Sequence, residues 1–413
     1  MKNLLVLLFS FLVTPAFGQP PVIQWQKSFG GTNQDMAASI RQTTDGGYII
    51  LGSTNSADGD IISTHGRSEY WVVKISNVGA IQWQKILGGK GEETASDIRQ
   101  TSDGGYIVVG WSGSDDGDVT SNHGGFNDIW VVKLSGTGAI QWQQTFGGSA
   151  TEYVGEIRQT TDGGYVFAGM TSSSDGDVTN KKGAGDVWVV KLSDTGTVQW
   201  QKTLGGTSLE EAHSIQQTND GGYVIAGNTS SNDGDVTGLH GVHDDVWVVK
   251  LSDIGDIQWQ KTLGGSLRDV AYSIRQTADS GYIIAGSTSS NNGDVTGNHG
   301  GADAWIVKLS KTGVVQWKKV LGGPQDEVAR SIELTPDGGY LMAGSSQQIG
   351  GDVISNQGDA DYWLVKMNST GIIQWRQSLG GTLQDIGQSA QPTSDGGCIV
   401  AGFASSNNGD VLV

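Results

Sequence analysis

Asp220-Gly221-Gly222-Tyr223-Val224-Ile225-Ala226-Gly227 is a glycine turn followed by a short aromatic and β-branched run, and its pattern recurs along the chain. It lies between two tryptophan registers. A Val/Ile-Gln-Trp element places Trp25, Trp83, Trp142, Trp200, Trp259, Trp317 and Trp375 at spacings of 58 or 59 residues. A Trp-Val-Val-Lys-like element places Trp71, Trp130, Trp188, Trp247, Trp305 and Trp363 at the same period. A fixed period of this length marks a repeat architecture, so the unit has to be read before any single motif.

One unit, taken from residue 265, contains four β-patterned runs: Val270 to Thr277, Tyr282 to Ser287, Ala304 to Ser310 and Val314 to Val320. Asp-Gly-Gly joins the first two in most units, where glycine supplies the positive φ of a hairpin turn. Ser-x-x-Gly joins the last two, as in Ser193-Asp194-Thr195-Gly196. A longer loop, Ser-x-Asp-Gly-Asp-Val-Thr-x-x-His-Gly in its commonest form, separates the second run from the third. Each unit is therefore a four-stranded meander. Repeated meanders of this size predict an all-β fold, a seven-bladed β-propeller of four-stranded antiparallel blades whose last blade is incomplete. A β-solenoid is the alternative, but its coils are much shorter than this unit. The paired tryptophans then pack blade against blade.

The Asp-Gly-Gly-Tyr-Ile/Val-x-x-Gly segment resembles the delta-60-type repeats of secreted bacterial β-propellers, over nearly all of residues 19–413. Leu192-Ser193-Asp194-Thr195-Gly196 followed by Trp200 is more weakly similar to the Trp-docking element of quinoprotein propellers, and nothing here corresponds to a quinone pocket. Ser280 and Cys398 depart from the pattern. The resemblance implies fold and export and no activity. Proteins of this type often continue into a C-terminal sorting domain of the type IX secretion pathway, which 19–413 does not include.

Composition agrees with this reading. Among 413 residues there are 65 glycines, only 6 prolines, 36% hydrophobic and 16% charged residues, which suits a turn-rich folded chain rather than a helical or disordered one. A net charge of −18, with no run of Lys or Arg, excludes nucleic acid and anionic membrane surfaces as partners. Lys2, the apolar run Leu4 to Val13 and Ala16-Phe17-Gly18 read as an export signal over 1–18, leaving 19–413 as a single domain. That apolar run is too short to span a bilayer, so a secreted or cell-surface, monomeric protein without membrane insertion is expected. The single cysteine, Cys398, allows no internal disulfide.

Closure of the ring poses a problem. The chain enters with a fourth-strand element, Val22 to Phe29, and leaves after a second-strand element, Cys398 to Phe403. A third strand is missing, which predicts a frayed or three-stranded last blade, or a truncated chain.

In an up-and-down blade the long loop and the link to the next blade emerge on one face. Two acid series fall there. The first is Asp60, Asp118, Asp177, Asp235, Asp294, Asp352 and Asp410, with a further acid nine or ten residues on (Glu69, Asp128, Asp186, Asp245, Asp303, Asp361). Two readings stand for it: hard-oxygen ligands for Ca²⁺, or turn caps that shape the loop. The second series is Asp35, Glu93, Glu152, Glu210, Asp269, Glu327 and Asp385, at the entry to the innermost strand. It reads either as a ring of carboxylates at the channel mouth, holding a cation or raising pKa values by repulsion, or as solvated loop acids or backbone caps. His65, His123, His240 and His299 share a loop register with Lys182 and Gln357, without transition-metal spacing. Gly88-Gly89-Lys90-Gly91 lacks the ending of a phosphate loop. Trp111, the one tryptophan outside both registers, is either a glycan contact or a packed strand residue.

No catalytic set and no bound cofactor other than calcium emerges from these residues. The leading functional expectation is a non-catalytic, multivalent interaction or adhesion module for an extracellular glycan or protein, calcium-dependent if the first acid series ligates. A polysaccharide hydrolase or lyase acting at the channel mouth, and a structural spacer within a larger surface protein, are the alternatives.

Overall fold

The computed structural model describes residues 3–10 and 20–411, and its regular structure consists of strands alone. Blade one comprises Asp35–Gln42, Tyr48–Thr54, Glu69–Ile75 and Ile81–Leu87 from the centre outward. The same antiparallel meander restarts at Glu93, Glu152, Glu210, Asp269 and Glu327 in blades two to six. Each inner strand packs against the next, and Asp385–Pro392 returns to Asp35–Gln42, so the ring closes. The architecture is a β-propeller with six blades continuous in sequence and a composite seventh. Among the described residues no helix is long and apolar enough to cross a membrane.

The seventh sheet departs from the expected gap. Its strands run Asp385–Pro392, Cys398–Ala404, Asn3–Ser10, Val22–Phe29 from the centre outward. Asn3–Ser10 thus occupies the third-strand position predicted to be empty. An apolar run rich in Leu and Val satisfies two unpaired sheet edges as readily as it reads as a leader. Residues 1, 2 and 11–19, including the expected cleavage region, lie outside the described residues.

Third strands such as Asp186–Leu192 are buried at every residue, because neighbouring blades cover both faces. That is why they read as continuous Trp-Val-Val runs. The third-strand tryptophans are almost fully inaccessible, and in four blades Nε1 donates to a glutamine of the outer strand, as Trp188 does to Gln201 at 2.8 Å. Burying each indole removes about 200 Å² from water, worth about 5 kcal/mol. Outer-strand tryptophans reach across instead: Trp142 meets Tyr165 of the following blade at 5.8 Å, and Trp25 of blade seven meets Tyr48 of blade one at 6.0 Å.

The Asp-Gly-Gly turn anchors each blade at its opposite face. Asp162 Oδ1 accepts from Gly164 N, while the buried Lys191 ammonium donates to Asp162 at 2.9 Å, to the Leu192 carbonyl and to Gln199. The middle residue is left-handed, φ 85° at Gly163, and Ser280 accepts the same conformation at φ 62°.

Candidate functional site: the loop face and the channel

The first acid series lies on the loop face, where each aspartate ties its loop to the incoming Gly-Gly link. Asp60 N donates to the Gly30 carbonyl, and Asp60 Oδ2 accepts from Gly30 N at 3.0 Å. Backbone bonds to the link recur at Asp118, Asp177, Asp235, Asp294, Asp352 and Asp410. In four of the seven the remaining oxygen capacity is used between blades: Asp177 meets His123 Nε2 at 3.2 Å, Asp294 meets His240 Nε2 at 3.4 Å, Asp235 pairs with Lys182, and Gln357 donates to Asp410. Asp352 pairs with Arg376 at 2.9 Å. Lys182 and Gln357 thus donate to the neighbouring loop from the register where His123 and His240 set Nε2 against its aspartate. The further acids sit beneath: Asp128, Asp245 and Asp303 accept from both the backbone N and ring Nδ1 of their histidines. Among the described residues no group of three or more His, Cys, Asp or Glu side chains is placed to hold a metal ion.

The second series is not an open ring at the channel mouth. Asp35, Glu93, Glu152, Glu210, Asp269, Glu327 and Asp385 are each 0% exposed. The Gly-Gly link folds over each carboxylate and donates a backbone N–H, as Gly31 does to Asp35 and Gly206 to Glu210, both at 2.8 Å. A hydroxyl at the end of the second strand adds a donor: Ser112 to Glu93 and Thr171 to Glu152.

Blade six weakens this pattern. Gln348 stands where Asp35 and Asp269 receive a serine hydroxyl (Ser56, Ser290), and Ser346 Oγ has no partner. Burial, with Asp303 and Asp326 nearby, pushes Glu327 up to about 7 despite N–H groups from Gly323 and Gln347. The unfolded glutamate titrates near about 4.3. Between these values only the folded chain holds the proton, so stability falls as pH rises through that window. Glu327→Gln is expected to raise stability at pH 8 by about 1 kcal/mol after allowance for solvent screening. The gain should vanish by pH 4 in urea titrations of both proteins; an equal difference at both pH values would contradict it.

The channel holds what the repeat conceals. In every inner strand the register shifts after the third residue, a β-bulge that re-aims the fourth. The bulged residues are Ala38, Ser96 and Gly155 on one side and His213, Tyr272, Arg330 and Gln388 on the other. His213 and Tyr272 rings lie 5.3 Å apart, and the Arg330 guanidinium lies 5.8 Å from the Tyr272 ring. His213 Nε2 meets Asn228 Oδ1 at 3.0 Å, and burial lowers its pKa.

Beyond the bulge, positions five and seven of the inner strands build an ionic layer. Arg275 of blade five reaches past blade four to Glu156 of blade three at 3.2 Å, and to Glu333 at 2.8 Å. Glu156 also pairs with Arg158 at 2.6 Å and with Arg99, and Arg41 pairs with Asp97 at 3.3 Å. Burial opposes ionisation of Glu156, yet Arg158, Arg275 and Arg99 hold its carboxyl well below the usual range. Against the same burial, Arg275 holds Glu333 down to about 2. Sequence inspection missed this cluster; its signal is that position five alternates Ser, Asp and Glu while position seven alternates Arg, Gln and Glu.

A third departure lies on the loop face between blades two and three. Trp111, Phe126 and Tyr153 line a cleft of about 690 Å³ with Arg67, Glu92 and Asn127. Trp111 is half-buried and meets Tyr153 edge-on at 6.2 Å; Tyr153 is 43% exposed and Phe126 82%. In the loop carrying Phe126, Asp128 follows His123 by five positions, as Asp245 follows His240, against four from His65 to Glu69. Thus Trp111 is a strand residue that also lines a cleft.

No protein-family model and no curated protein matches the chain. Among solved structures it is similar to the Neurospora crassa Pan2 WD40 domain, at 10% identity and TM-score 0.49, covering 91% of each chain. It is also similar to Sqt1 from Chaetomium thermophilum, at 11% identity and TM-score 0.43, covering 86% of this chain and 75% of that one. A third similar structure is BBS1N, solved in complex with ARL6DN, at 10% identity and TM-score 0.42, covering 92% and 95%.

Proposed function

We propose that this protein is an extracellular, non-catalytic interaction module that holds a glycan in the loop-face cleft of Trp111, Phe126 and Tyr153. The observation that carries this reading is the exposure of the aromatic rings of Phe126 and Tyr153 on a rigid frame, where the other loops expose aliphatic side chains such as Ile62, Val242 and Ile349. Sugar rings present C–H faces to such aromatics and hydroxyls to side chains such as Asn127 and Arg67. The repeated acids belong to the frame, so the reading shifts from seven equivalent sites to one cleft.

Two features support binding over turnover. Among the described residues Glu92 is the one carboxylate lining the cleft, and glycoside hydrolysis ordinarily needs a pair. In the channel, arginines keep Glu156 and Glu333 ionised, which disqualifies them as general acids near neutrality. Calcium is not required by this reading: thermal unfolding with calcium and with chelator is expected to give the same midpoint, and a large calcium-dependent rise would return the loop aspartates to a ligand role. A glycan array probed with the wild type and Trp111→Ala tests the main claim. Binding is expected and should weaken tenfold or more in the variant, about 1.4 kcal/mol. Absence of any glycan signal leaves the spacer reading in its place.

A further inference from the structure

Blade seven takes its third strand from Asn3–Ser10 in the register used by all other blades. In blade one, Trp71 pairs with Gly52 and Ile86, and Lys74 with Ile49 and Trp83. In blade seven the corresponding partners Gly402 and Ser28 face Leu5, and Ile399 and Trp25 face Leu8, with the register shift at the same point. The leader-like segment therefore reproduces the backbone pairing while carrying leucine where the other third strands carry tryptophan and lysine.

The surroundings of that position remain set for the missing side chains. Gln26 occupies the place of Gln84, Gln143, Gln201 and Gln260, whose Oε1 atoms accept the third-strand indole N–H. Gln26 Oε1 is buried with no partner among the described residues, as is Ser28 Oγ beside it. Gln377 Oε1 and Trp363 Nε1 of blade six are likewise unbonded, but there both groups are present. At the other end, Asp45, Asp103, Asp162, Asp220, Asp279 and Asp337 each pair with a buried third-strand lysine at 2.9 to 3.1 Å. Asp395, at the same turn position, accepts only from Thr393 and Gly397 and has no cationic partner among the described residues.

We propose that the third-strand position of blade seven is a strand-acceptor site whose ligand is a β-strand of a partner polypeptide with the pattern acidic-x-Trp-Val-Val-Lys-Leu. Removal of 1–18 on export, which this inference assumes, would free both edges. An incoming strand would gain the ladder hydrogen bonds of two neighbours, while its indole meets Gln26 Oε1 and its ammonium meets Asp395. The first bond would satisfy a buried oxygen that is costly to leave unpaired, and the second would pair an exposed carboxylate.

The test uses the chain recovered after export, its N-terminus established by mass spectrometry, beside the unprocessed chain. The probe is a fluorescein-labelled peptide with the sequence of residues 185–193, Gly-Asp-Val-Trp-Val-Val-Lys-Leu-Ser, followed by anisotropy. Saturable binding to the exported chain is expected, at least tenfold weaker for peptides carrying Trp188→Ala or Lys191→Ala and for the unprocessed chain. In the protein, Asp395→Asn should abolish the difference between the lysine and alanine peptides. No saturable binding to a folded exported chain, or equal binding of a scrambled peptide, overturns the proposal. So does an exported chain that retains residues 3–10, or one that fills the site with another segment of its own chain or by dimerising with a second copy. The cleft at blades two and three is untouched by this peptide, so glycan binding stands or falls separately.

Discussion

Glu156→Gln is expected to destabilise the protein by about 3 to 5 kcal/mol, the range for removing one partner from a buried ion cluster. Glu156 Oε1 meets Arg158 at 2.6 Å and Arg275 at 3.2 Å and also accepts from Arg99; Oε2 accepts from Ser214 Oγ at 2.6 Å and Ile215 N at 3.1 Å. Loss of this charge leaves three guanidiniums facing one another in a space of low dielectric. Among the described residues Glu333 and Asp97 then remain to compensate them and Arg41. Because Arg275 bridges across blade four, the damage should spread over half the ring. Urea unfolding of wild type and variant checks this, and a difference below about 1 kcal/mol would mean that water in the channel screens the cluster.

Gly227→Ala is expected to cost about 3 kcal/mol or more, at the upper end of overpacking effects. Gly227 pairs with Ala212, just before the bulge at His213, and the bulge drives the Glu211 carbonyl against the glycine. A Cβ at 227 would collide with that carbonyl oxygen and press on the Glu211 carbon and the Ala212 Cα, none of which can swing aside. Relief would require flattening the bulge, which would also withdraw His213 from Asn228. Gly221→Ala, in the turn of the same blade, supplies a control: its Cβ meets open space, and only its φ of 85° opposes the change, at about 1 to 2 kcal/mol. Thermal unfolding of the two variants should therefore rank them clearly; equal midpoints would show that the inner strand yields.

The blade was legible because its signals are local and repeated. The run expected over Val270 to Thr277 is the strand Asp269–Gln276, and that expected over Val314 to Val320 is Val315–Leu321, each displaced by one residue. What escaped depends on closure. Glu156 and Arg275 are 119 residues apart and meet only because the ring brings their inner strands to one axis. Periodicity shows seven carboxylates at Asp35 and its equivalents, but not that the Gly-Gly links fold over them and remove them from water. Nor does an apolar run such as Leu4 to Leu8 announce whether it serves as leader or strand, since both need the same composition. Trp111 was visible as an exception to the repeat, while its neighbours Phe126 and Tyr153 belong to different elements and were not.

The central claim is that recognition occurs at one cleft rather than on seven loops or in the channel. Hydrogen–deuterium exchange of the intact protein, with and without the tightest-binding glycan from the array, tests it most directly. The account predicts added protection confined to residues 111–113, 126–127 and 151–153. Protection spread evenly over the loops around Asp60, Asp118 and their equivalents, or centred on His213, Tyr272 and Arg330, would contradict it.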